Sequence, residues 1–142
     1  VLGGFDPADF ADQVSSARQN RMVLVGWHAA KDPGPTRDLF VNVIGGLQID
    51  EPAADLAVAV AVSSSVKDRP AQADMAFIGE VGLSGELRAV SQLETRLNEA
   101  VKLGFKRCIV PRSTGKKNYK TPDGLELIPC RSLIDALEVA LV

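Results

Sequence analysis

The sequence is poor in the residues that build metal sites, disulfide frameworks and membrane spans. Its 142 residues include two cysteines, Cys108 and Cys130, and a single histidine, His28. Two cysteines are too few for a disulfide scaffold or a four-cysteine zinc site, and a reducing compartment is the default expectation. The longest apolar run, Leu56–Val62, is far shorter than the roughly 20 residues of a membrane span. We therefore expect no metal site and no membrane contact.

Motifs for nucleotide chemistry and for triad catalysis are also missing. A phosphate-binding loop needs a glycine five residues before Gly115 and a Ser or Thr after Lys116, but the chain has Val110 and a second lysine there. Glycines 79, 82 and 85 fall inside a predicted strand-turn-strand rather than between a strand and a helix, which argues against a dinucleotide site. No nucleophile motif flanks His28, so a Ser-His-Asp mechanism is not indicated.

Charge is unevenly distributed, although the formal net charge is only −2. Aromatic residues make up 5% of the chain, which argues against extended base stacking, while 46% hydrophobic and 24% charged residues are typical of a folded domain. Residues 1–60 contain eight acidic and four basic side chains, whereas residues 102–120 contain seven basic and no acidic ones. A run of one sign favours an anionic partner. The seven basic residues are Lys102, Lys106, Arg107, Arg112, Lys116, Lys117 and Lys120.

Alternating strand and helix signals predict an α/β domain with a mixed sheet packed against helices. Helices are expected at 7–14, 20–30, 52–67, 91–103 and 132–141, and strands at 39–44, 47–49, 75–81, 86–90, 107–111 and 125–128. The Pro52–Lys67 helix is apolar nearly all round and should lie in the core. Ser91–Glu94 and Ser132–Asp135 match helix-capping patterns, and Gly104 is expected to end a helix in a left-handed conformation.

Acidic residues around the start of the Pro52–Lys67 helix leave one catalytic alternative open. Asp50, Glu51 and Asp55 lie there, and Glu80 and Glu86 are elsewhere in the chain. Paired carboxylates can perform acid-base chemistry. Helix capping and complementation of the helix dipole is the favoured interpretation.

Two blocks of the sequence resemble the C-terminal Lon-protease-like domain of the RadA (Sms) family, RecA paralogues of bacteria and plant organelles. The first block runs from Asn42 to Ala59, and the second contains Gly79–Arg88 and Leu93–Ala100. The resemblance covers residues 20–142 and leaves 1–19 as a divergent N-terminal segment without the family's usual first hairpin. It implies the Lon protease-like fold, also called the ribosomal-protein domain-2-like fold.

The same resemblance implies that the domain is not a protease. Active Lon proteases have a Ser nucleophile in a Gly-Pro-Ser-Ala-Gly stretch, which here reads Glu51-Pro52-Ala53-Ala54-Asp55, and a Lys general base where this chain has Arg96. A methyl group cannot attack a carbonyl, and a guanidinium stays protonated and cannot act as a base. Ala53 and Arg96 are therefore interpreted as vestigial dyad positions, with no catalytic residue.

The resemblance further implies a scaffold that binds DNA and forms a hexamer in recombinational repair. ATP, Mg and Zn belong to upstream domains of the family, a zinc finger and an ATPase that performs branch migration in the full-length protein, and no cofactor is expected in this chain. The implied partners are single-stranded or branched DNA, further copies of the chain and a RecA-type recombinase, in the cytoplasm beside the bacterial nucleoid or in a plant organelle. The candidate DNA-binding residues are Arg88, Arg96, Lys102, Lys106, Arg107, Arg112, Lys116, Lys117 and Lys120.

Two other functions remain open at this stage. In the first, the chain is an assembly or partner-docking module without DNA contact, and its basic run pairs with the acidic half of a neighbouring subunit. In the second, the chain retains Lon-type serine peptidase activity despite the missing nucleophile.

Overall fold

A computed structural model of the chain describes residues 51–112 and 120–142. Three α-helices lie in these residues: α1 at Asp55–Lys67, α2 at Leu93–Lys102 and α3 at Leu133–Ala140. A short 3-10 turn at Pro52–Ala54 precedes α1. The elements predicted at 7–14, 20–30, 39–44 and 47–49, and the basic residues Lys116 and Lys117, lie outside the described residues.

Five strands form two separate sheets within the described residues. Strands β1 (Met75–Phe77), β4 (Arg107–Pro111) and β5 (Glu126–Cys130) make a parallel sheet in the order β1-β4-β5. Strands β2 (Glu80–Val81) and β3 (Leu87–Arg88) form an antiparallel hairpin. The α/β class is thus confirmed, and in this part of the chain the parallel and antiparallel pairings belong to different sheets.

Both faces of the parallel sheet are covered by apolar side chains, as parallel sheets require. One core cluster joins α1 and α3 to one face of β4 through Ile109, and the other joins α2 to the opposite face through Cys108 and Val110. The prediction for α1 is confirmed, since Leu56 and Val60 are almost fully buried.

The N-cap of helix α2 lies one residue later than predicted. Gln92 occupies the N-cap position in a left-handed conformation and no side chain caps the helix, so the predicted Ser91–Glu94 capping box is wrong. The far end follows the prediction, because Gly104 adopts a φ of +91° and the amides of Gly104 and Phe105 donate to the carbonyls of Val101 and Ala100.

The predicted strand at 75–81 is interrupted after Phe77. The Gly79 amide donates to the Ala53 carbonyl at 3.1 Å, and the Gly79 carbonyl accepts from the Leu56 amide at 3.0 Å. A Cβ on Gly79 would lie 3.2 Å from the Pro111 ring, so glycine permits this close approach. The start of α1 is thereby joined to the end of β1, which places it beside the carboxyl ends of the parallel strands.

Candidate functional site

The carboxylate of Glu51 connects the two positions that the resemblance assigns to a lost catalytic dyad. Its Oε1 accepts the Ala53 amide at 3.1 Å, which caps the 3-10 turn, and its Oε2 lies 2.7 Å from the Arg96 Nη2. The Arg96 Nε donates to the Ser91 carbonyl at 3.0 Å. Glu51 therefore holds the start of the 3-10 turn against the first turn of α2.

The electrostatics of this junction suit a fixed ion pair. The hydrogen bond from Arg96, together with the one from the Ala53 amide, holds the pKa of the Glu51 carboxyl below its usual value. Ala53 is buried, with a methyl group and no nucleophilic atom. A guanidinium bound to a carboxylate cannot accept a proton. The arrangement joins the 3-10 turn at Pro52–Ala54 to helix α2.

Other acidic residues near the start of α1 also have structural partners. Asp55 is buried, and its Oδ2 accepts the Val81 amide at 3.3 Å. Glu86 accepts the Ser84 amide and pairs with Arg88, and Glu80 lies 3.7 Å from the same arginine. The pKa of Glu86 is lowered by a hydrogen bond from its own backbone amide and by Arg88. The capping interpretation is confirmed for Glu51, while Asp50 lies outside the described residues.

Three of the candidate DNA-binding residues lie at the amino ends of the parallel strands. Lys102, at the end of α2, pairs with Glu99 at 2.6 Å. Arg107 begins β4 and forms a bidentate pair with Asp74, which lowers the pKa of that carboxyl. Lys106 is exposed, and the described residues place no carboxylate within 4.0 Å of it. We call this end of the sheet, defined by the residues that precede β1, β4 and β5, the amino edge.

Other candidates lie at the opposite end of the sheet, the carboxyl edge, defined by the residues that follow β1, β4 and β5. Arg112 follows β4 directly and is exposed, and Arg96 is held there by Glu51. Arg88 ends β3, whose Leu87 amide donates to the carbonyl of Arg131, the residue after β5. Because β4 is five residues long, the two edges are about 13 Å apart. The candidate residues thus do not form one continuous surface.

Lys120 is exposed and lies where the described chain resumes after residue 112. Neither Arg112 nor Lys120 has a carboxylate within 4.0 Å among the described residues, whereas Arg88, Arg96, Lys102 and Arg107 each do. An ion-paired arginine must give up or share its carboxylate before it binds a phosphate. Arg112 and Lys120 are therefore more available to an anionic ligand than the four paired residues.

Arg131, which follows β5 at the carboxyl edge, is not among the candidates predicted from the sequence. It is exposed, its backbone amide donates to Asp135 at 3.2 Å, and its guanidinium has no carboxylate within 4.0 Å in the part of the chain that the structure describes. In the sequence it stands alone, 11 residues after the basic run ends, so charge counting did not detect it. The parallel pairing of β4 with β5 brings it beside Arg112.

Neither a membrane span nor a metal site is evident within residues 51–112 and 120–142. None of the helices there has the length and hydrophobicity needed to cross a bilayer. No three His, Cys, Asp or Glu side chains of these residues lie close enough together to hold a metal ion.

Comparison with known proteins places this α/β domain in a family. A family model described as subunit ChlI of Mg-chelatase matches residues 11–114, and the chain belongs to that family. The match contains the 3-10 turn, α1, α2 and strands β1 to β4, which include the Glu51–Arg96 junction.

Proteins named DNA repair protein RadA are similar to this chain. The Escherichia coli K12 protein is 46% identical over 103 residues, which cover 72% of this chain and 22% of that protein. The Listeria monocytogenes protein is 44% identical over 105 residues, 74% of this chain and 23% of the relative. The Aquifex aeolicus protein is 48% identical over 103 residues, 72% and 22% respectively. The similarity to RadA is thus confirmed, and the chain spans less than a quarter of these curated relatives.

Proposed function

We propose that this chain is a catalytically inactive Lon-protease-like domain that binds DNA for a repair protein related to RadA. The observation that supports DNA binding is the state of the residues on either side of segment 113–119. Arg112 and Lys120 are exposed and lack a carboxylate within 4.0 Å among the described residues. The segment between them carries Lys116 and Lys117 and no acidic residue. Contacts of this kind bind phosphates without reading the base sequence.

The affinity of such a domain should depend strongly on salt. Each phosphate neutralised on a single strand releases about 0.7 counterion, so the logarithm of the association constant falls with the logarithm of salt concentration by about that slope per contact. A few contacts per chain give weak binding. Repetition around a ring, which the family resemblance implies as a hexamer, raises the effective affinity through local concentration.

Fluorescence anisotropy with a labelled single-stranded oligonucleotide, repeated with a branched duplex, tests the DNA-binding function. We expect the 142-residue chain to bind both, with a linear loss of affinity as salt rises. The variant Lys116→Ala/Lys117→Ala should bind about 25-fold less tightly to the single strand at 0.1 M salt, since two contacts at a slope of 0.7 are lost. The charge-retaining control Lys116→Arg/Lys117→Arg should bind nearly as well as the original chain.

The absence of catalysis is a separate part of the proposal. Ala53 has no nucleophilic atom, and Arg96 is bound to Glu51 and to the Ser91 carbonyl. We expect no cleavage of a fluorogenic peptide or of an unfolded protein substrate. Turnover that a serine-directed reagent abolishes would support the residual peptidase instead.

Exposed apolar side chains support a second function, an assembly or docking module. Leu83 at the tip of the β2-β3 hairpin is 59% exposed, and Ile134 in the first turn of α3 is 52% exposed. The Leu133 amide donates to the Gly85 carbonyl at 2.8 Å, so these two side chains belong to adjoining elements. Exposed large apolar residues on adjoining elements are the feature that a contact with another protein surface would bury.

Light scattering distinguishes the two functions. If the original chain has the mass of about six copies, and the variant Leu83→Ser/Ile134→Ser has a lower mass with its DNA affinity per chain retained, then Leu83 and Ile134 serve assembly. A monomer that binds DNA would remove the hexamer from the proposal.

In the full-length parent, the resemblance implies that an ATPase domain drives branch migration and that a RecA-type recombinase is a partner.

A further inference from the structure

We propose that Arg112 and Arg131 together form a phosphate-binding site at the carboxyl edge of the sheet, where the DNA backbone binds. This inference rests on the DNA-binding function proposed above and specifies its location. Arg131 lies outside the basic run of the sequence, and only the pairing of β4 with β5 makes it part of the site.

The strand register establishes the juxtaposition. Pro111 pairs with Cys130 in the β4-β5 ladder, and the Arg112 amide donates to the Cys130 carbonyl at 2.7 Å. In a parallel ladder, a residue that donates its amide to a carbonyl on the neighbouring strand lies opposite the residue that follows that carbonyl. Arg112 is therefore opposite Arg131, and the two backbones are about 4.8 Å apart.

The acidic side chains on the adjoining elements are already engaged. Asp135 in α3 accepts the amides of Arg131 and Ser132, both at 3.2 Å, as part of the helix cap. Glu86 beside β3 accepts the Ser84 amide and pairs with Arg88. Within the described residues no carboxylate comes within 4.0 Å of the guanidinium of Arg112 or Arg131.

Arg112 and Arg131 are both exposed and follow paired residues of adjacent strands, so their positive charges repel each other in the absence of an anion. A phosphate between them removes that repulsion, and each guanidinium can donate two parallel hydrogen bonds to phosphate oxygens.

The amino edge provides the competing location and a matched control. Lys106 is exposed, like Arg112 and Arg131, and has no carboxylate within 4.0 Å among the described residues. It lies at the start of β4, about 13 Å from the strand's end. Replacing it removes one positive charge from the chain without touching the carboxyl edge.

The test compares Arg112→Ala, Arg131→Ala and Lys106→Ala of the 142-residue chain by anisotropy with a single-stranded oligonucleotide. Loss of one phosphate contact at a slope of about 0.7 corresponds to about fivefold weaker binding at 0.1 M salt. We expect this loss for each arginine variant, a salt slope reduced by about 0.7, and unchanged binding for Lys106→Ala. Arg131→Lys should retain much of the affinity because the positive charge remains. Its binding should still be somewhat weaker than that of the original chain, since lysine cannot donate the two parallel hydrogen bonds.

Folding is checked independently, because Arg131 contributes its backbone to the structure. Its amide and carbonyl bond to Asp135 and Leu87, and alanine keeps both groups. Thermal unfolding of Arg131→Ala should therefore match that of the original chain.

The outcomes separate this inference from the function it depends on. Binding by the original chain that persists in Arg131→Ala, or that falls only in Lys106→Ala, would overturn the arginine-pair site and leave DNA binding intact. No binding by the original chain would overturn both. Inorganic phosphate at matched ionic strength should not displace the oligonucleotide. Displacement would show that the pair is a site for free phosphate rather than for a nucleic-acid backbone.

Discussion

The ion pair between Glu51 and Arg96 allows a direct test of whether Arg96 serves folding or DNA binding. The sequence suggested a DNA contact, while the structure places the guanidinium 2.7 Å from a carboxylate and 3.0 Å from the Ser91 carbonyl. We predict that Arg96→Ala lowers the free energy of unfolding and leaves DNA affinity nearly unchanged. The charge of Arg96 is already balanced by Glu51 in the chain without DNA.

The magnitude follows from exposure. The Glu51 side chain is 44% exposed and that of Arg96 is 25% exposed, so solvent screens the pair and a coupling energy of about 0.5 kcal/mol is expected. Arg96→Ala also removes the hydrogen bond to Ser91, which brings its expected cost to about 1 kcal/mol. Glu51→Gln keeps an oxygen that can accept the Ala53 amide and removes only the charge. Its cost should therefore be about 0.5 kcal/mol.

Urea denaturation of the original chain, both single variants and the double variant measures the coupling energy as a double-mutant cycle. The folded pKa of Glu51 lies below its ordinary 4.5, so its stabilisation is present above that pH and is lost as the pH falls through the folded pKa. The stability gap between the original chain and Glu51→Gln should accordingly be full at pH 7 and close in acid. High salt should reduce it as well.

Strict additivity of the two single variants at low salt would refute the ion pair as a stabilising contact. The assignment of Arg96 to folding would be refuted if Arg96→Ala lost DNA affinity with unchanged stability, and if Glu51→Gln bound DNA more strongly. In that case the guanidinium exchanges its carboxylate for a phosphate.

Three further predictions concern the core of the described residues. Leu97→Ala should cost about 2–5 kcal/mol in urea denaturation because Leu97 is completely buried, whereas exposed Thr95→Ala should change little; a small effect at Leu97 would contradict the packing of α2 on the sheet. Ser63→Ala should raise the free energy of unfolding by about 1 kcal/mol, because the buried Ser63 hydroxyl has no hydrogen-bond partner in the described part of the chain. The control Ser64→Ala should lower the free energy of unfolding, because it removes a 2.6 Å hydrogen bond from the Ser64 hydroxyl to a backbone carbonyl. Burial raises the pKa of the Cys108 thiol to about 12, so alkylation followed by mass spectrometry at pH 8 should label it only after unfolding; rapid labelling of the folded chain would show that β4 opens locally.

Local patterns account for much of the fold that was predicted correctly. The burial of the nearly all-apolar helix α1, the left-handed Gly104 and the Ser132–Asp135 cap depend on residues within one or two helical turns of each other, and all three are confirmed. The hairpin around Gly85 follows from the same kind of short-range information. Such patterns can be recognised in a sequence because the atoms involved are close along the chain.

One error in the prediction arises from a contact between distant segments, and a second from the backbone conformation at Gln92. The strand expected at 75–81 breaks after Phe77 because Gly79 bonds to the backbone of Ala53 and Leu56. The capping box expected at Ser91 does not form, because Gln92 occupies the N-cap position in a left-handed conformation and no side chain caps α2. The bond between Gly79 and Ala53 joins residues 26 positions apart, so the neighbouring sequence gives no signal for it.

For the candidate site, the amino-acid sequence alone determined that Ala53 has no nucleophilic side chain. It also determined the charge of each residue and the presence of the basic run at 102–120. The tertiary structure decided which of those charges are available to a ligand. It paired Arg88, Arg96 and Arg107 with carboxylates and separated the basic residues onto two edges of the sheet. Strand pairing also brought Arg131 beside Arg112, because hydrogen bonding between parallel strands makes neighbours of residues 19 positions apart in the chain.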